Sequence, residues 1–195
     1  MLIKERIHGF CNSVFRSKGS LWVPLLDIVV PKHQNILSIV EGPRGKFLYA
    51  GHNIVTDAGD VYYAQRAMTE TPTNAFANLY LSSEAWGAPG KGSTSSGLAS
   101  IIAGTEKAPT SGYPKTDDDD TDNTGAGADV MTWLYSYAKG DFNDNDIEGG
   151  AISIASVPAW GSGSTPMLTA FNQTAFAKTA NDTLKQFVNH TQNGV

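Results

Sequence analysis

Thiols are almost missing from this 195-residue chain, whose one cysteine is Cys11. That count excludes an internal disulfide and a thiolate metal cage, and leaves Cys11 to be read as a small packing residue. Histidine is scarce too. His8, His33, His52 and His190 are widely separated and show no metal-ligand pair at helical spacing, so each reads as structural or surface. No apolar run is long enough to span a bilayer, and the first twenty residues scatter charge through any export core. Neither a transmembrane segment nor a leader is expected.

Catalytic and ligand-binding signatures are also thin. In Gly87-Ala88-Pro89-Gly90-Lys91-Gly92-Ser93 a glycine stands where a phosphate loop needs Ser or Thr, and no apolar helix follows. Asp141, Asn143 and Asn145 have the spacing of the first calcium-loop ligands, but Asp146 replaces the glycine and Ile152 the closing glutamate. A turn-rich hairpin connection is the better reading. The Asp117 to Asp120 run lacks a folded cage and reads as a solvated loop rather than a cation site. Gly161-Ser162-Gly163-Ser164-Thr165 misses the final glycine of a nucleophile elbow. Paired carboxylates for sugar hydrolysis meet only in a fold, and nothing in the sequence points to them. Sequons at Asn172, Asn181 and Asn189 are incidental without an export signal. No catalytic, cofactor-binding or metal residue is therefore assigned.

What the chain has in quantity is turn formers: Gly, Ser, Thr, Asn and Asp separate short apolar runs. That pattern predicts a mainly β protein. Charge is divided along the chain. Residues 1–50 carry seven Lys/Arg against three acids, and residues 51–195 carry seven against sixteen. The division predicts a basic N-terminal arm with short β segments over 1–50, and a β-sandwich domain over 51–195 with an acidic loop around 104–129.

LWVPLLDIVV at 21–30 holds Pro24, which cannot donate to a ladder, so it reads as an edge strand or extended segment. A turn at Pro31-Lys32-His33, the strand NILSIV, a Gly-Pro-Arg-Gly turn and KFLYAGH follow. GHNIVTDAGDVYYAQ then leads into a helix over 57–68, with Thr56 or Asp57 as cap and Val61, Ala64 and Met68 as its core stripe. NLYLSSEAW at 78–86 reads as a strand and 87–97 as a loop. The tract from Gly104 to Asp129, with TDDDDTDNTGAGAD at its centre, is either a surface excursion or disordered. VMTWLYSYA at 130–138 alternates with period two, placing Trp133, Tyr135 and Tyr137 on one face. GGAISIAS, Met167 to Phe176 and Thr183 to His190 add further strands, for seven to nine in all. An antiparallel sandwich or jelly roll with one short helix follows.

Three stretches, NIVTDAGD at 53–60, TWLYSYAKGDFND at 132–144 and KTANDTLKQFVNHT at 178–191, together resemble virion structural proteins of tailed bacteriophages. They look most like the small head proteins that decorate or cement a capsid. The resemblance covers roughly residues 50–191 and implies a non-enzymatic role on the capsid surface of the virion, after assembly in the host cytoplasm. It implies the major capsid protein as partner, self-association as a homotrimer, and no membrane. Direct nucleic-acid contact is not expected of a chain this acidic. On this reading the helix braces the end of the body from which the arm leaves, and the acidic loop faces outward. The contact residues would be Phe15, Arg16, Trp22 and Arg44, because aromatic and arginine side chains anchor interfaces; alternatively the aromatics complete the local core. A neck, tail or head-fibre role is the alternative within the same class. A glycan hydrolase, or a DNA-binding arm, stands outside it.

Overall fold

A computed structural model describes residues 15–18, 21–24, 36–123 and 127–191. The described residues form ten strands and one α-helix. Two strands, β1 (Phe15–Lys18) and β2 (Leu21–Pro24), pair among the described residues only with each other, and Pro24 closes the second of them. The remaining eight are β3 (Ile36–Gly42), β4 (Gly45–Val55), β5 (Asn78–Ser82), β6 (Lys115–Thr116), β7 (Val130–Tyr137), β8 (Asp144–Ser153), β9 (Met167–Lys178) and β10 (Thr183–Thr191). They make one antiparallel sheet in the order β5-β8-β9-β4-β3-β10-β7-β6. The fold is mainly β with a single short helix, as the turn-rich composition predicts.

The sheet curls until its two sides share one core. Inward side chains of β7, namely Trp133, Tyr135 and Tyr137, pack in the same cluster as Leu79 and Leu81 of β5 and Phe171 and Phe176 of β9. Tyr135 donates its hydroxyl proton to the Ala77 carbonyl at 2.8 Å, and Tyr137 donates to the Thr105 carbonyl at 2.7 Å. A strap over residues 101–110 ties the two sides further. Leu79 and Lys107 exchange backbone hydrogen bonds, and the Thr110 amide donates to the Leu134 carbonyl at 2.8 Å. Register shifts in the β8–β9 pair, between Asp144 and Gly149 and between Ile152 and Ser153, mark the bulges that favour such coiling. The shape is compatible with a sandwich, although the strands form one continuous sheet.

Polypeptide crosses the outside of the curl as well. Leu37, Ile39, Leu134 and Phe187 form a small outer core beside Tyr113. Trp86, Leu98, Ala151, Met167 and Ala170 form a second, with Trp160 packed on it.

Three sequence expectations change. The division at residue 50 falls inside β4, and β3 and β4 lie in the middle of the sheet between β9 and β10. Residues 36–50 thus belong to the body, because each of these strands needs two neighbours to satisfy its ladder. The helix α1 (Asp57–Ala67) forms with Thr56 as its cap, but Val61 and Met68 are exposed. Tyr62, Tyr63 and Ala58 meet the core instead, with Gly59 buried. The acidic tract is folded as far as Asn123 and from Gly127 onward. Cys11, His8, His33, Phe10 and the run 25–30 lie outside the described residues.

Candidate functional site

The end of the sheet that carries α1 is assembled from its cap outward. Thr56 is extended, accepts the Gly59 amide on its hydroxyl at 3.1 Å, and donates that hydroxyl to the Met167 carbonyl. Its own amide donates to the Leu168 carbonyl at 3.1 Å, and the Asp57 amide to the Lys91 carbonyl at 2.8 Å. Gly59 is required here: a Cβ at that position would lie 2.2 Å from the Leu168 oxygen. The careful transition from strand to helix is thus a seat, in which one threonine and one glycine fix α1 against β9.

From that seat α1 projects Tyr63 into the sheet. Trp133 Nε1 donates to the Tyr63 hydroxyl at 2.9 Å, and that hydroxyl lies 2.5 Å from His190 Nδ1. The Tyr63 hydroxyl thus accepts from Trp133 and shares a second hydrogen bond with Nδ1, whose direction is set by the imidazole tautomer. His190 is buried, and burial pushes its pKa down to about 3. Burial likewise pushes the Tyr63 hydroxyl well above its ordinary value. The trio therefore stays neutral at physiological pH and acts as a latch.

The opposite polar system is the acidic lobe on the outer face. Asp118 is buried there and accepts from the Tyr113 hydroxyl at 2.8 Å, Asn123 Nδ2 at 3.0 Å and the Asp120 amide at 3.2 Å. Lys115 lies 3.2 Å away. Burial raises the Asp118 pKa, but these donors outweigh burial and hold the carboxyl below its ordinary value. Asn123 and Asn189 pair their amides reciprocally, at 3.1 and 2.9 Å, and Thr132 donates to Asn189 at 2.8 Å. Lys185 of β10 spans Asp120 and Asp122 at 3.0 and 3.2 Å, and Lys46 of β4 pairs with Asp122. Burial opposes the charge of Asp122 and of Lys185, yet their pairing wins, lowering the first pKa and raising the second. Of the aspartates expected to stand out in solvent, Asp117 and Asp119 are exposed, whereas Asp118 and Asp120, with Asp122, clamp the lobe to β4, β7 and β10. Their repulsion is relieved by Lys115 within the tract and by Lys46 and Lys185 brought in from elsewhere in the sequence.

At the end of the sheet remote from α1, Arg44 sits in the β3–β4 turn. Its guanidinium is 3.5 Å from Asp182, with the Arg44 side chain 62% exposed. Asp182 also accepts from the Thr179 amide and hydroxyl at 2.8 and 2.7 Å. Nearby Lys178 is fully buried; its amine donates to the Phe142 carbonyl at 2.9 Å and lies 4.8 Å from the Phe142 ring centroid. Burial pulls the Lys178 pKa down, against the attraction of Asp141 and Asp182. No sequence signal marks Lys178, which stands in polar text at a strand end.

The expected contact residues divide between two places. Strand register sets Phe15 opposite Pro24, Arg16 opposite Val23, and Trp22 opposite Ser17 on the β1–β2 hairpin. Arg44 lies on the body. The phosphate-loop lysine, Lys91, is paired with Asp60 of α1 at 2.5 Å. Asp144 of the calcium-like stretch already belongs to β8, paired with Lys178, so that stretch is partly strand. Two of the three sequon asparagines are engaged: Asn172 exchanges hydrogen bonds with the Trp86 backbone, and Asn189 is buried. Among the described residues no group of three or more His, Cys, Asp or Glu is placed to hold a metal ion, and no helix is long and apolar enough to cross a membrane.

Comparison with protein families, with characterised proteins and with solved structures returned no match.

Proposed function

We propose that this chain is a structural assembly protein, a rigid β body that works by contact rather than by turnover. More particularly, we propose a decoration or cement protein of a bacteriophage head, which binds across capsid subunit junctions and stabilises the assembled shell. The observation that carries this reading is the separateness of the hairpin. Among the described residues β1 and β2 pair with each other alone, while the eight strands of the body are joined in their own sheet. The hairpin also lies in the part of the chain where basic residues exceed acidic ones.

The body supports the same reading through the use it makes of its charges. Lys46, Lys115 and Lys185 are paired with the acidic lobe, and Lys107 with Asp141 at 3.0 Å. Such pairing fixes surfaces in shape. A shell-binding protein acts by mass action: it stabilises the assembled state to the extent that it binds that state better than the separated subunits. Phe15, Arg16 and Trp22 on the hairpin, with Arg44 on the body, are the contacts proposed, with the major capsid protein and further copies of this chain as partners. Trimers would match local threefold positions of a shell.

The test is reconstitution. Full-length protein is added to purified heads that lack it, and the heads are heated. Binding with a raised temperature of DNA release supports the reading, and loss of that effect in the Phe15→Ala, Arg16→Ala, Trp22→Ala triple variant would assign it to the hairpin. Heads that neither bind the protein nor gain heat resistance would refute it.

A further inference from the structure

The outward face of α1 carries apolar side chains that the body leaves uncovered. Val61, Ala64 and Met68 follow one another at helical spacing, so they share a face. Val61 is 50% and Met68 71% exposed, and Ala64 is exposed as well. Among the described residues, Val61 and Met68 are the exposed large hydrophobics, and both stand on this stripe. Scattered apolar surface residues are ordinary. Val61 lies in α1 and Met68 at its C-terminal cap, on a short helix whose other face, Gly59, Tyr62 and Tyr63, is already seated on the sheet.

The path of the chain indicates what covers the stripe. β3 begins at Ile36, opposite Gly51 of β4 and Val188 of β10. Both neighbours outrun it: β4 continues to Val55 and leads into α1, while β10 continues to Thr191. Beyond Ile36, Asn53 Nδ2 of β4 donates to the Asn189 carbonyl of β10 at 3.3 Å, and Tyr63 of α1 rests on His190. The polypeptide therefore enters the body at the foot of α1.

Reach and chemistry agree with this position. Five residues, 31–35, separate Ile36 from Val30, and five residues can span up to roughly 17 Å. That is about the length of an eleven-residue helix such as α1. Ahead of them stands LLDIVV, Leu25 to Val30, apolar at every position but Asp27. Leu25 to Val30 itself carries only Asp27, and Lys32, two residues beyond it, supplies a cation against residues 57–70, where Asp57, Asp60 and Glu70 outnumber Arg66, a net of −2.

We propose that Leu25 to Val30 docks in cis along the Val61, Ala64 and Met68 stripe of α1. Docking completes the second face of the helix and fixes the direction in which the β1–β2 hairpin leaves the body. The helix then has two tasks: Tyr63 latches it to the sheet, and its outward stripe holds the arm. This goes beyond the assembly reading, and holds or fails independently of it.

The test uses the full chain with Cys11→Ser as background, carrying Ile28→Cys and Met68→Cys together and, in a second variant, Ile28→Cys and Val61→Cys. After mild oxidation or a short bismaleimide, a cross-link within one chain in at least one pair, independent of protein concentration, is expected. Cross-links only between chains would overturn the proposal, because the arm would then serve a neighbour; so would no cross-link in either pair. A second readout avoids engineered thiols. Cleavage after Lys32 by a lysine-specific protease should run roughly tenfold faster in Val61→Asp, an exposed substitution, than in the unmodified protein. Equal rates would also overturn the proposal.

Discussion

The first thirty-five residues and the body that follows carry opposite charge and differ in what charge does for them. The N-terminal segment has five Lys/Arg against two acids, a net of +3; residues 36–195 have nine against seventeen, a net of −8. In the body, six of the nine cations, Arg44, Lys46, Lys91, Lys107, Lys115 and Lys185, are held in ion pairs with the body's own carboxylates. A seventh, Lys178, is buried on backbone carbonyls. Most of the positive charge in the body is thus committed to bracing, with Arg44 also a proposed contact, and the chain's excess of it lies in the N-terminal segment that carries the other proposed contacts. If that division is right, substitutions in the two regions will separate stability from assembly.

The largest effect is expected deep in the body. Trp133→Ala removes an aromatic core residue and the donor to Tyr63, and should cost about 3–5 kcal/mol in chemical denaturation. Next comes the acidic lobe. Asp118→Ala leaves the Tyr113 hydroxyl, Asn123 Nδ2 and the Asp120 amide without their acceptor, at a cost of about 2–3 kcal/mol. Faster hydrogen exchange across residues 113–123 should accompany it.

Acid sharpens the contrast further. His190 titrates near 3 when folded and near its ordinary 6.5 when unfolded, so the unfolded chain binds the proton first. Its contribution to stability is whole above pH 6.5 and declines below it by up to about 1.4 kcal/mol per pH unit, or roughly 2 kcal/mol by pH 5. Denaturation curves at pH 7 and pH 5 should show this loss, and His190→Phe should flatten it. The carboxylates of Asp118, Asp122 and Asp182, held below their ordinary values, stabilise the fold above the unfolded carboxylate range and give way only at lower pH. The two acid windows are therefore distinct.

Smaller effects mark the surface. Lys185→Ala removes partly exposed pairs with Asp120 and Asp122 and should cost less than about 1 kcal/mol, shrinking as salt is raised. Trp22→Ala should leave the denaturation midpoint of the body unchanged while weakening binding to heads. If it unfolds the body, the comparison between the two regions breaks down.

Much of the body was legible in the sequence because period-two patterns are local. Trp133, Tyr135 and Tyr137 alternate with Thr132, Leu134 and Ser136, and Leu184 and Val188 alternate with Lys185 and Phe187, as the core clusters require. The cap at Thr56 was legible for the same reason. The buried face of α1 was not. Val61, Ala64 and Met68 make the more apolar stripe, but the sheet offers Trp133 and His190 at its end, and partners for a hydroxyl favour Tyr63 over valine. Nor was the folded state of the aspartate tract, since its neutralising partners Lys46 and Lys185 stand 76 and 63 residues from Asp122. Strand pairing alone brings them together. Ser38, Gln173 and Gln186 likewise meet on the inner face only through register, with Ser38 Oγ 2.5 and 2.7 Å from the two glutamine oxygens.

The central claim, that the protein works by fitting onto an assembled head, is tested most directly by its copy number and position in purified particles, measured by quantitative mass spectrometry and cryo-electron microscopy. Many copies distributed over the shell at subunit junctions are predicted. Purified particles that contain none of the protein would contradict the claim.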